Sequence, residues 1–173
     1  MNVMRFRKTT GCIALGYLCG TATALAGPST GPSAEASLEL EFRRAAAALG
    51  QVELRVADVT ERIGKEKVTI GALFELFDKT GDPSDVSGPL AESFERLDSI
   101  LRDLDRLRAR TAVIGATFEK IAAVAKDPKL AEAAKAAVSR VATGEAQISA
   151  AHSAALTVVE AAKTLAALIG EIK

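Results

Sequence analysis

Apolar residues recur along most of this chain at alternating spacings of three and four. From Leu38 the positions are Leu38, Phe42, Ala45, Leu49, Val52, Val56, Val59 and Ile63. The register then passes through one charged residue, Glu66, and resumes at Ile70, Leu73 and Phe77. This is the period of a helix that packs along one stripe in a coiled-coil manner, not the two-residue alternation of a half-buried strand. It predicts a first helix from about Ser33, a suitable N-cap, to Asp78. The weak point is Gly64-Lys65-Glu66, where the seam fails beside a glycine; a break there would make four helices of three.

Lys79–Gly88 (KTGDPSDVSG) is dense in turn residues and is expected to form a loop, with Pro89 in the first turn of a second helix. That helix carries the seam Leu90, Ser93, Leu97, Ile100, Leu104, Leu107, Thr111, Ile114, Phe118, Ile121 and Ala125, widened by Phe94, Leu101 and Ala122. It ends at Lys126. Asp127-Pro128, a capping residue followed by a proline at the first helical position, starts a third helix running to 172. Its seam, from Leu130 through Ala134, Ala137, Val141, Gly144, Ile148, Ala151, Ala155, Val158, Ala162, Leu165 and Ile169 to Ile172, is apolar or glycine throughout. At ~1.5 Å per residue the three helices are roughly 68, 57 and 67 Å long. Comparable lengths and short connections predict an all-α fold, an elongated antiparallel three-helix bundle. The alternative treats Asp127-Pro128 as a kink between nearly continuous helices in an oligomer.

Two features are not explained by the seams. The first helix carries Gly50, Ala57, Gly64 and Gly71 seven apart on one face, which reads as close helix packing, with a hinge or a partner groove as the alternatives. The third helix contains Ala146–Val159 (AQISAAHSAALTVV), fourteen residues without a formal charge. Ile148, Ala151, Ala155 and Val158 belong to its seam. The other faces present Gln147, Ser149, His152, Ser153 and Thr157 among alanines, where a solvated helix would show Lys and Glu. A small, weakly polar face of this kind is expected to be covered. The first helix is the ordinary cover; a protein partner, a second copy or a membrane surface are the others.

The N-terminus departs from the helical pattern. Arg5, Arg7 and Lys8 precede a mostly apolar Gly11–Ala22, and Ala24-Leu25-Ala26 offers small residues where a signal peptidase reads. Residues 1–26 therefore read as a cleavable signal peptide, 27–32 (GPSTGP) as a flexible tether, and 33–173 as one helical domain. Cleavage after Ala26 would remove Cys12, Cys19, Met1, Met4 and Tyr17. The mature chain would then be an exported protein, periplasmic or secreted, with no disulfide and with its stability resting on packing. Without Arg5, Arg7 and Lys8 the 22 basic residues fall to 19 against 22 acidic, a formal charge of −3. That balance gives no general attraction to nucleic acid.

Reactive chemistry is scarce. His152 is the sole histidine, and without a second His or Cys it builds neither a transition-metal site nor a nucleophile–base pair. The mature chain would lack the methionine or second histidine of a haem axial pair. Asp78, Asp82 and Asp85 superficially suit calcium, but prolines 83 and 89 stand where the loop needs glycine and glutamate, so capping is the expected role. Glu39–Arg43, Asp58–Arg62, Glu92–Arg96 and Asp98–Arg102 are four apart and read as surface ion pairs. No glycine-rich phosphate loop or paired-carboxylate pocket is evident. The sequence therefore points to a non-enzymatic scaffold or adaptor with no cofactor, acting through protein–protein contact or self-association, with Gln147, Ser149, His152, Ser153 and Thr157 as the candidate partner face. The rival expectation is a membrane-active or lipid-binding helical protein whose amphipathic faces open onto lipid, although no segment was expected to reach the ~18 apolar residues of a span.

Overall fold

The structure, a computed structural model, describes residues 34–171 as three long α-helices: α1 (Ala34–Thr80), α2 (Pro83–Val124) and α3 (Pro128–Glu171). No strand occurs among the described residues. All three helix pairs pack, giving an up-down-up three-helix bundle. The expected signal peptide, the tether, the Ser33 cap and the last seam position, Ile172, lie outside the described residues.

The predicted seams form the core. Leu49, Val52, Leu97, Leu104, Phe118, Ile121, Ile148, Ala155 and Leu165 are among the side chains almost wholly withdrawn from water. Each seam buries one stripe of one helix, and the hydrophobic stabilisation comes from these three stripes meeting. Toward the α1 N-terminal end Phe42 and Phe118 meet edge to face, ring centres 5.5 Å apart.

α1 does not break at Gly64. The Glu66 side chain, at the failing seam position, is buried and accepts a hydrogen bond at 2.6 Å from Arg96 Nε on α2. Arg96 Nη2 also donates to Ser93 Oγ at 3.0 Å; Ser93 is one of two polar positions of the α2 seam, the other being Thr111, whose hydroxyl donates to Leu107 O of its own helix. Glu66 and Ser93 therefore share one polar layer through Arg96, and α1 continues through it.

The expected loop Lys79–Gly88 shrinks to Gly81-Asp82, and α2 begins six residues earlier than predicted. Gly81 takes the left-handed conformation (φ 62°) that ends α1, and its N–H donates to Phe77 O at 2.8 Å. Asp82 caps α2 by accepting from Ser84 N at 2.8 Å, and Pro83 occupies the first turn. Tertiary packing overrides the turn chemistry of Pro83–Gly88. Val86, one seam position before Leu90, is fully buried, and that burial holds Pro89 inside a helix.

At the other end Asp127 Oδ1 accepts from Lys129 N at 3.0 Å, the predicted cap of α3. Glu35 Oε1 in the first turn of α1 accepts from both Lys126 N (3.1 Å) and Asp127 N (3.0 Å). This clamp ties the start of α1 to the α2–α3 turn and sets α1 and α3 parallel. Asp127-Pro128 is thus a tight reversal between packed helices, not a kink in a continuous one.

Candidate functional site

The three helix–helix boundaries differ. α1 and α2 are bridged by Arg62–Asp103 (2.9 Å), Arg96–Glu66 (2.6 Å), Lys120–Glu41 (3.2 Å) and an Arg110–Gln51 hydrogen bond (3.0 Å). α2 and α3 pack closely: a Cβ placed on the buried Gly115 would lie 3.1 Å from Val141 Cγ1. α1 and α3 pack least, and among the described residues one ion pair, Arg140–Glu53 at 2.8 Å, joins them.

Beyond that pair an open groove runs between α1 and α3. One stretch encloses 1070 Å³ and is lined by Glu53, Ala57, Thr60 and Glu61 on α1 and by Arg140, Thr143, Gly144, Gln147, Ala150 and Ala154 on α3, over a floor of Val56 and Ala151. A second stretch of 610 Å³ shares Thr60 and Ala154 with the first and continues along Gly64, Lys67, Gly71 and Phe74 opposite Thr157 and Ala161. From Glu53 to Phe74 the groove follows about 32 Å of helix, six turns.

The glycines of this face are not used by the bundle. A Cβ added at Gly50, Gly64, Gly71 or Gly144 meets nothing within 4 Å. This corrects the expectation that the α1 small-residue row serves close packing inside the bundle. Among the described residues only Gly115 is packed in that way. Beside the row, Leu54 and Val68 are 74% and 72% exposed.

The expected cover for the charge-free stretch is also corrected: α1 does not lie over it. Gln147, Ser149, Ser153 and Thr157 are exposed, and His152 is half-buried. The helix separates them. Gln147 and Thr157 line the groove with Ala150 and Ala154. His152 lies about 140° round the helix from Gln147, in a row seven apart with Val138, Val159 and Ala166, which pack on the core. Ser149 and Ser153 belong to neither wall. The five candidates therefore do not form one site, and only Gln147 and Thr157 share the groove.

Sequence reading missed the α1 wall. Its signal was the glycine row, read for the wrong purpose, together with Leu54 and Val68 outside the seam. The groove is also less polar than its composition implies. The Thr60, Thr143 and Thr157 hydroxyls donate to Val56 O, Ser139 O and Ser153 O of their own helices (2.8, 3.2 and 3.0 Å). Hydroxyls satisfied in this way leave methyl groups to face outward. Of the wall charges, Glu61 pairs with Lys65 at 2.7 Å. The shared hydrogen bond holds the Glu61 carboxyl below its ordinary range and the Lys65 ammonium above its own.

Among the described residues no three of His, Cys, Asp and Glu are grouped to hold a metal ion. α3 holds an 18-residue window long and apolar enough to cross a membrane by length and composition, of which 28% is buried. Many small alanines add up to a span's hydropathy without any large apolar run. No protein-family model, curated protein or solved structure matches the chain.

Proposed function

We propose that this protein is an exported, non-enzymatic helical scaffold or adaptor whose working surface is the α1–α3 groove, which receives a helix from a protein partner. The observation that carries the reading is the open space beside the groove glycines Gly64, Gly71 and Gly144. A glycine inside a helix costs about 1 kcal/mol relative to alanine. Gly64, Gly71 and Gly144 line the groove, weaken the bundle and gain no packing from it. They do allow another backbone to come close, as in helix-in-groove recognition. The back-bonded threonines and the lack of formal charge on α3 from Ala146 to Val159 suit an apolar helix face. Export rests on the basic, apolar and small-residue succession of residues 1–26.

The test is a photo-crosslinking amino acid placed at Gln147 or Ala154 in the producing cell, with Asp105 on α2 as a control. Discrete protein adducts at the two groove positions and not at Asp105 support the reading; their absence overturns it. Sequencing the N-terminus of the released chain tests export, with Gly27 expected first.

A second reading, lipid binding, is favoured by the apolar, mostly uncovered window of α3. Flotation of the protein with vesicles of neutral or anionic phospholipid tests it, and flotation together with lipid-only adducts would replace the scaffold reading.

A further inference from the structure

We infer that the occupant of the α1–α3 groove is a second, antiparallel copy of this chain, the two grooves closing on each other about a two-fold axis. The inference rests on the groove being a protein-docking surface and names what docks there.

The exposed face of α1 has its own three-four spacing, outside the core seam: Gly50, Leu54, Ala57, Glu61, Gly64, Val68 and Gly71. Large and small residues alternate, so a closed two-fold pair sets large against small when one copy is reversed. In the register that sets Leu54 against Gly71 of the second copy, Val68 falls against Ala57 and Glu61 against Gly64. Each exposed large side chain then meets a position with room for it, since Gly64 and Gly71 have nothing within 4 Å of a Cβ. Side chains seated over glycine and alanine let antiparallel helices approach closely.

Charge selects the same register. Asp58 falls beside Lys65 of the second copy on the flank away from the groove. Glu61 falls between Lys65 and Lys67, which flank Gly64. Two acids of each copy therefore meet two lysines of the other, and the two-fold doubles the set. A parallel pairing in register would stack Glu61 on Glu61 and Leu54 on Leu54, which electrostatics and volume both oppose. Ala150 and Ala154 stand across the groove from Glu61. The same axis therefore brings the charge-free stretch of α3 against its own copy, where alanines permit close contact.

The experiment uses the full chain in a Cys12→Ser, Cys19→Ser background. Leu54→Cys and Gly71→Cys are made singly and mixed under mild oxidation. In the proposed register the mixture crosslinks and neither variant alone does, because identical positions sit about 25 Å apart while a disulfide needs Cα atoms within ~7 Å. Light scattering is expected to give twice the chain mass. Gly71→Leu, which has space within one copy, is expected to return the mass to a single chain with helicity unchanged. Lys65→Asp is expected to weaken pairing, and Asp58→Lys combined with Lys65→Asp to restore it. Crosslinking by Leu54→Cys alone would overturn the antiparallel register. A single-chain mass with groove adducts to a different protein would overturn self-pairing and leave the docking reading standing. A single-chain mass with no protein adducts would overturn both.

Discussion

Arg96 on α2 and Glu66 on α1 are joined at 2.6 Å across the one charged layer of the core. Their positions are unequal. The Glu66 side chain is 9% exposed and its Oε2 has no hydrogen-bond partner, whereas the Arg96 side chain is 45% exposed. The carboxylate's hydrogen bond holds the guanidinium above its ordinary pKa, so Arg96 stays charged throughout the working range.

This inequality predicts opposite outcomes for the two partners. Arg96→Ala strands a buried carboxylate and is expected to destabilise the bundle by about 2–4 kcal/mol, toward the low end because the pair is partly solvated. Glu66→Leu removes the buried charge, leaves Arg96 free to turn to water and continues the seam; it is expected to be neutral or stabilising by about 1 kcal/mol. Urea denaturation followed by circular dichroism measures both, and equal losses would mean the pair acts as a surface bridge.

The glycines divide in the same way. Gly64→Ala and Gly71→Ala are each expected to stabilise the single chain by about 0.5–1 kcal/mol, because the added methyl meets open space and the helix gains propensity. Gly115→Ala pushes a methyl against Val141 at 3.1 Å and is expected to cost about 1–2 kcal/mol. Thermal melts at a protein concentration low enough to keep chains apart separate the two classes.

Pro89 lies inside α2, where Asp85 O receives no backbone donor from it. Pro89→Ala restores that bond and is expected to stabilise the chain by about 1–2 kcal/mol, less than the full mid-helix cost because the site is near the helix start. Hydrogen exchange over Val86–Ser93 is expected to slow. Unchanged exchange would mean Val86 burial alone controls this turn.

The Asp82 cap gives the start of α2 a pH dependence. The Ser84 N–H holds the Asp82 carboxyl below its ordinary range. A group with a depressed folded pKa stabilises above its unfolded pKa, near 4, and that stabilisation is lost as pH falls through the lower folded value. Lowering the pH from 6 to below the ordinary carboxylate range is therefore expected to fray Ser84–Gly88 first. Asp82→Asn keeps an acceptor without the charge and is expected to remove this step, which residue-resolved amide exchange against pH would follow.

Much of the fold was legible in the residues because each helix buries a single stripe. A three-four repeat names that stripe whatever lies opposite, so the seams through Val52, Leu104 and Ala155 were readable one helix at a time. The Asp127-Pro128 start of α3 was readable as well, because a cap and a proline at the first helical position are local chemistry.

The tertiary structure decided what depends on two helices at once. Pro83–Gly88 reads as a turn until Val86 is seen under the other helices. Glu66 reads as a break until Arg96 and Ser93 stand opposite it. The row Gly50, Ala57, Gly64, Gly71 reads as close packing until the space beside it is found open. Periodicity reports that a face is small or apolar; only the placement of the neighbouring helices reports whether it is covered, because burial belongs to the pair and not to the strip of chain that carries it.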